Sequence, residues 1–312
     1  MFTKRQEAEL ITSLQWRWEI PLKFAYLWDG AKNRETIAQK RWKRWINLYE
    51  KSLLTKRVQD FLKSFNNKEK INIFDLWCGD WFPIMPILDE LREQNISFRY
   101  VPLDISQEML DLAESNVKSK YNCEVKKVLF DFELGNFSDI TYSFKSWWYS
   151  NLLCFLWSTI WNFSDRNRVL TNMRDSMGND DFLLIWVEMT NFAKINKIIP
   201  HYEWELVEKF LYYIPWIIGI KREESKYKVV WNDKENQIEI RISINNDQKL
   251  LVNKESFMIE KDEQILISRS VKFNEWTLTK LLSDTGFRTE VMTTTTDRWY
   301  VLSMVQPTRY SI

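Results

Sequence analysis

Apolar positions recur with helical spacing around residues 5–15 and 34–64, with charged residues between them, so residues 1–66 are expected to be mostly amphipathic helix. The period then changes. Residues 71–76 (INIFDL) form a short apolar run ending at the turn-like WCGDW, the mark of a buried strand. Helical spacing follows over 84–94. A second strand, 97–104 (SFRYVPLD), closes on an acidic residue, and Ser106 is placed to cap a helix over 107–119 with Glu108 in its first turn. Further strands are expected at 124–133, 150–156 and 181–189. A helix from Ser164 or Asp165 to about Met177 separates the last two. Strands alternating with helices predict a doubly wound parallel sheet, whose right-handed crossovers gather the strand ends on one ligand-binding edge.

Beyond residue 190 the pattern differs. Residues 203–211 read as helix, and 227–270 show repeated β-rich alternation, expected to be antiparallel and outside the parallel sheet. A helix over 275–283 stops near Gly286, and two strands close the chain. The expected layout is α/β and discontinuous. A nucleotide-type, Rossmann-like domain covers 57–190 with 271–312, and a second α+β domain for substrate covers 1–56 with 191–270.

Charge and composition narrow the chemistry. With 44 basic and 43 acidic side chains the net charge is +1, so no global field points to nucleic acid or a membrane surface, and the basic KRWKR run at 40–44 reads as a solvated helix face. One histidine, His201, rules out a histidine-rich metal site and argues against a Ser-His-Asp machine. Cys78, Cys123 and Cys154 fit no zinc or disulfide spacing, which suits reduced thiols in the cytoplasm. The first fifteen residues carry charges where a signal peptide needs an apolar core, and the apolar run 214–220 is too short to span a bilayer. The expected protein is a cytoplasmic monomer that needs no metal. The abnormal numbers are 17 Trp and 6 Gly. Glycine ordinarily makes up about 7% of residues, about 22 in a chain of this length. The two types together number 23.

The chemistry gathers at strand ends. In 73–83 (IFDLWCGDWFP) Asp75 closes a strand and Gly79 sits in the turn that follows. Glycine at 77 and 81 as well would make this a GxGxG turn, whose permissive φ angles let backbone approach a ligand closely. Asp104, 25 residues after Gly79, ends the next strand, where a carboxylate can take both hydroxyls of a ribose. Asp131 ends the third and is placed to reach an adenine edge, with Phe132 beside it to pack on the ring. Taken singly, each acidic residue could equally be a solvated strand-end charge.

These segments, DLxCGDxFP, PLDIS (102–106) and FDFE (130–133), resemble a class I S-adenosylmethionine (SAM) methyltransferase. The run CFLWSTIWNF (154–163) would read FLGSTIGNF with glycine at 157 and 161, and so resembles the histidine-specific SAM-dependent methyltransferase family. PLKFAYLWDG (21–30), VWNDKENQIEIRI (230–242), SRSVKF (268–273) and the closing 286–303 resemble the family in the same order. The resemblance implies SAM as cofactor and methyl transfer to the α-amine of a free amino acid, histidine or a related one. It places Tyr26, Asp75, the turn with Trp77, Gly79 and Trp81, Asp104, Asp131 and Phe132 around SAM. It also places Asn162, Tyr202, Ser268 and Ser270 around the acceptor, and Tyr26 or Tyr49 as the hydroxyl that takes or relays the amine proton. One position departs from the family pattern: Ser268 stands where the family has an acidic residue for the imidazole, so an acceptor other than histidine is part of the expectation.

Trp77, Trp81, Trp157 and Trp161 all stand where the resemblance calls for glycine, and Trp28, Trp186, Trp204 and Trp299 have similar turn or strand-edge contexts. Two readings are open. Genuine indoles would block the cofactor turn and make the chain a silent binding protein. Alternatively, the codons are UGA read as glycine. A dehydrogenase on the same sheet is disfavoured by the 227–270 insertion and by the lack of a histidine for hydride chemistry.

Overall fold

A computed structural model describes residues 2–42, 46–65, 70–79, 81–145, 149–156, 159–189, 195–296 and 298–308. The chain divides into two compact units, Met1–Ile37 with Asn191–Lys272, and Ala38–Thr190 with Phe273–Ile312. Its helices in chain order are α1 (Lys4–Arg17), α2 (Asp29–Trp42), α3 (Ile46–Leu62), α4 (Met85–Glu93), α5 (Gln107–Lys120), α6 (Ser138–Phe144), α7 (Arg166–Asp175), α8 (Ile195–Tyr202), α9 (Glu205–Leu211), α10 (Tyr213–Ile217) and α11 (Glu275–Asp284).

The larger unit is an α/β sheet. Its strands are β1 (Lys70–Leu76), β2 (Ser97–Asp104), β3 (Glu124–Val125), β4 (Val128–Leu129), β5 (Tyr149–Phe155) and β6 (Phe182–Glu188), closed by β12 (Phe287–Thr294) and β13 (Tyr300–Pro307). The order is β12-β13-β6-β5-β1-β2-β3, with β4 also on β2. The strands from β6 to β4 run parallel, whereas β13 is antiparallel to both β6 and β12. The sheet is therefore mixed rather than wholly parallel. β1 is buried from Ile71 onward, as an unbroken apolar run between two neighbours requires. Ser106 caps α5 by accepting from the Met109 N–H (3.4 Å), and Asp165 caps α7 by accepting from the Arg168 N–H (2.9 Å). The expected third strand, 124–133, survives only as β3 and β4. Its middle carries Lys126 and Lys127, which pair outward with Glu124, Asp111 and Glu114, so this edge keeps only short contacts with β2. The strand order reverses direction between β1 and β5, which puts the switch point of the sheet at their C-terminal ends.

The smaller unit holds β7 (Ser225–Asn232), β8 (Gln237–Ile244) and β11 (Gln264–Val271) as an antiparallel sheet in the order β11-β8-β7, and the hairpin β9 (Gln248–Val252) with β10 (Glu255–Ile259). β8 buries Ile238, Ile240, Ile242 and Ile244 completely, the period-2 face of a strand on a core. In between, Glu239 accepts from Asn232, Gln237 and Arg241, which together hold its carboxyl below the usual range although burial opposes them. Thr3 caps α1, and Leu10 and Leu14 bury its inner face.

Candidate active site

The site begins where β1 ends. Asp75 is buried and accepts a 2.6 Å hydrogen bond from the Tyr100 hydroxyl on β2. Burial, reinforced by that carboxylate, pushes the hydroxyl well above its ordinary pKa. The chain then turns. The Trp77 N–H donates to the Leu103 carbonyl (2.8 Å), which ties the turn to β2, and the Trp81 N–H donates back to the Cys78 carbonyl (2.9 Å). Trp77, Gly79 and Trp81 all take left-handed backbone, with φ of 59°, 51° and 65°.

Asp104 closes β2 directly beside this turn and is 1% exposed. Its carboxylate accepts from the backbone N–H groups of Ser106 (3.0 Å), Gly79 and Ile105, and from the Cys78 thiol (3.9 Å). Burial outweighs these donors and raises its pKa to about 7. A buried carboxylate aimed at a glycine turn is suited to gripping vicinal hydroxyls. Asp131 follows β4 half-buried and accepts from the Glu133 N–H (3.1 Å), so it also shapes its own turn. Phe132 is buried, with its ring edge-on to Phe155 and Phe163. The Trp77 indole lies against this same group, 5.7 Å from Phe132 and 5.3 Å from Phe163. Trp81 instead turns into the core, stacked on Phe82 and edge-on to Tyr121. Asn162 ends the one-turn helix Thr159–Asn162 that follows β5. The structure thus gathers Asp75, Gly79, Asp104 and Phe132 at the C-terminal ends of adjoining strands, and it puts Asn162 at the end of the strand next to β1. Trp157 lies outside the described residues.

A second cluster forms in the smaller unit. The Tyr202 hydroxyl donates to Ser270 Oγ (2.7 Å), and the buried Lys272 ammonium lies 2.9 Å from Ser270 Oγ and 3.5 Å from the Tyr202 oxygen. Tyr227 fixes Tyr202 by donating to its carbonyl (2.9 Å). Ser268 is buried two residues before Ser270 on the same face of β11. Tyr202 ends α8. Tyr26 is buried at the end of the one-turn helix Leu22–Tyr26, edge-on to Phe210. Tyr49 lies in α3, but its side chain is outside the described set. Sequence reasoning missed Lys272, because lysine is ordinarily solvent-exposed and only its spacing from Ser270 could have flagged it. Among the tryptophans with glycine-like contexts, Trp28 is left-handed (φ 52°). Trp204 has an ordinary φ of −66° before α9, and Trp186 lies buried inside β6, stacked on Tyr300, and not at a strand edge.

A sheet of this order, with its switch point at β1 and β5 and an acidic β2 end hydrogen-bonded to the β1 turn, defines a class I SAM-dependent methyltransferase fold. Among solved structures, the CurJ carbon methyltransferase is similar at TM-score 0.52 and 12% identity over 98% of this chain and 65% of that one. A SAM-dependent methyltransferase from Clostridium acetobutylicum is similar at TM-score 0.47 and 10% identity over 88% and 99%, and the glycopeptide N-methyltransferase MtfA, solved with SAM, at 0.41 and 11% over 81% and 93%. No curated protein matches the chain. The family model described as "histidine-specific methyltransferase, SAM-dependent" matches residues 8–307, and the chain belongs to that family. It is a SAM-dependent methyltransferase by family and fold. Among the described residues, no helix is long and apolar enough to cross a membrane.

The residues present fit SAM in part. The acidic strand ends and Gly79 suit an adenosyl group, whereas the Trp77 indole lies edge-on against Phe132, the ring expected to pack on adenine.

Proposed function

We propose that the protein methylates the α-amine of a free amino acid, histidine or a related one. The observation that carries this reading is the cluster of Tyr202, Ser270 and Lys272, in which two hydroxyls and a buried ammonium converge within 3.5 Å. Ser270 accepts from Tyr202 and Lys272, so its own O–H can donate beside a fixed positive charge, an arrangement that suits the carboxylate of an amino acid. Asn162 supports it with an amide that can both donate to a carboxylate and accept from an amine. Ser268 offers a neutral hydroxyl to the acceptor side chain, so a neutral hydrogen-bonding side chain is accommodated as well as an imidazole. The amine must reach the reaction unprotonated, and the hydroxyl of Tyr26 or Tyr49, or a water it holds, takes or relays that proton. Asp131 completes the adenosine contacts by turning from the Glu133 N–H toward the base. The reading includes a monomer at work in the cytoplasm, acting on a small molecule and not on nucleic acid.

The test is a panel of the twenty amino acids with labelled SAM, run on protein isolated from its own cells. Transfer to one or a few free amino acids is expected. SAM binding without transfer to any of them overturns the acceptor class. Ser270→Ala is expected to raise the KM for the acceptor by about tenfold and to leave kcat nearly unchanged, as loss of one hydrogen bond to a charged group implies.

A further inference from the structure

Among the described residues, nine other than glycine adopt positive φ. Asn95, Asn236, Asn253 and Asp262 belong to the residue types whose short polar side chains tolerate this region. Arg298 is one exception. The other four are all tryptophan: Trp18 (49°), Trp28 (52°), Trp77 (59°) and Trp81 (65°). A bulky side chain here is an outlier.

Each left-handed position that can be read locally has a backbone reason. Trp18 closes α1, with its N–H returning to the Leu14 carbonyl (3.3 Å) and that of Glu19 to Ser13 (3.4 Å), the helix end that ordinarily takes glycine. Trp77 and Trp81 bracket Gly79 in one turn and are held by hydrogen bonds to Leu103 and Cys78. The backbone therefore asks for glycine on either side of a glycine it already has. Glycine falls about 16 short of its ordinary number in a chain that holds 17 tryptophans.

We infer that positions 18, 28, 77 and 81 are glycine in the protein as its own cell makes it, their codons being UGA read as glycine, and that the glycine turn opens a cradle for an adenosyl group beside Phe132. The second half rests on the methyltransferase reading. Without an indole at 77, the side of Phe132 and Phe163 that it now covers opens to a flat heteroaromatic ring. Trp231 is the internal control. It lies in extended β7, donates its indole N–H to Asp233 (3.3 Å), and remains tryptophan.

The experiment is peptide mass analysis of the protein isolated from its own cells, covering residues 18–23, 24–32 and 71–92. Each of the four positions should be lighter by the difference between an indolylmethyl group and a hydrogen atom, and the peptide containing Trp231 should be unchanged. Tryptophan masses at 77 or 81 overturn the assignment. In parallel, SAM binding is measured on two recombinant chains, one with tryptophan at all four positions and one carrying Trp18→Gly, Trp28→Gly, Trp77→Gly and Trp81→Gly. Saturable binding by the glycine chain and its loss in the tryptophan chain support the cradle. Glycine masses without SAM binding by the glycine chain leave the codon assignment standing and overturn the cradle. Tryptophan masses with SAM binding by the tryptophan chain overturn both halves and leave the methyltransferase reading intact.

Discussion

The two ends of the parallel sheet carry opposite kinds of polar chemistry. At the N-terminal end, Asn72 and Asn151 face each other in register and share a 2.9 Å hydrogen bond. Arg99 donates to Asn72 (3.1 Å), and Asp181 accepts from Asn151 (3.2 Å), the Gly178 N–H (2.7 Å) and Lys145 (2.8 Å), which also pairs with Asp180. Asn72, Asn151 and Asp181 are essentially inaccessible. At the C-terminal end, burial outweighs the donors to Asp104 and raises its pKa to about 7, and the neighbouring turn is left-handed at three positions. The sheet thus keeps a satisfied polar network at one end and gathers left-handed backbone and a perturbed pKa at the other.

The largest expected effect breaks the ordered end. Asp181→Ala leaves Lys145 and Asn151 short of an acceptor and is expected to cost ~3 kcal/mol in urea unfolding. SAM affinity, measured where the variant is still folded, should be unchanged. A comparable loss of SAM binding would show that the two ends are not separable.

Asp104→Asn is the converse. In the SAM-binding form of the protein it is expected to weaken SAM by ~30-fold, or ~2 kcal/mol, read by calorimetry. It should not lower stability at pH 8. The pH dependence sharpens this. Because the folded pKa of Asp104 lies above its ordinary 3.8, its contribution favours the empty fold at low pH and is lost as pH rises through about 7. Binding to hydroxyl donors favours the ionised form, so SAM affinity should fall as pH drops below about 7, approaching tenfold per unit. The Asn variant should show a flat profile over that window. A slope retained in the variant would assign the titration to another group.

The smallest effect concerns backbone alone. Trp18→Gly removes left-handed strain of ~1–2 kcal/mol and adds some unfolded-chain freedom, for a net gain of about 1 kcal/mol. Thermal unfolding by circular dichroism should shift upward by about 2–4 °C. A decrease would mean that the indole's own contacts outweigh the backbone.

The elements with strong periodicity were legible. The runs 71–76, 97–104 and 181–189 fall on strands, and Ser106 and Asp165 on caps, because a central strand or a cap is dictated by its own few residues. Edge strand 124–133 was not, since its charged middle is drawn outward by partners on α5. The place of Asp104 at the end of β2 was legible from strand ends in series, whereas the contact of Tyr202 with Ser270 joins α8 to β11 across 68 residues, so the resemblance named both residues but no local pattern foretold that they meet or that Lys272 joins them. The end of α1 was hidden for a different reason. A glycine at position 18 would have announced a helix stop, and the tryptophan written there silences the usual signal.

That same helix end bears on inheritance. Position 18 is the first left-handed residue among those described. If its codon is UGA, a ribosome that treats UGA as stop releases the chain no later than Arg17, inside or at the end of α1 and before any strand is made. The gene would then be unreadable to neighbours using the common code, and its exchange would be confined to lineages that share the same decoding.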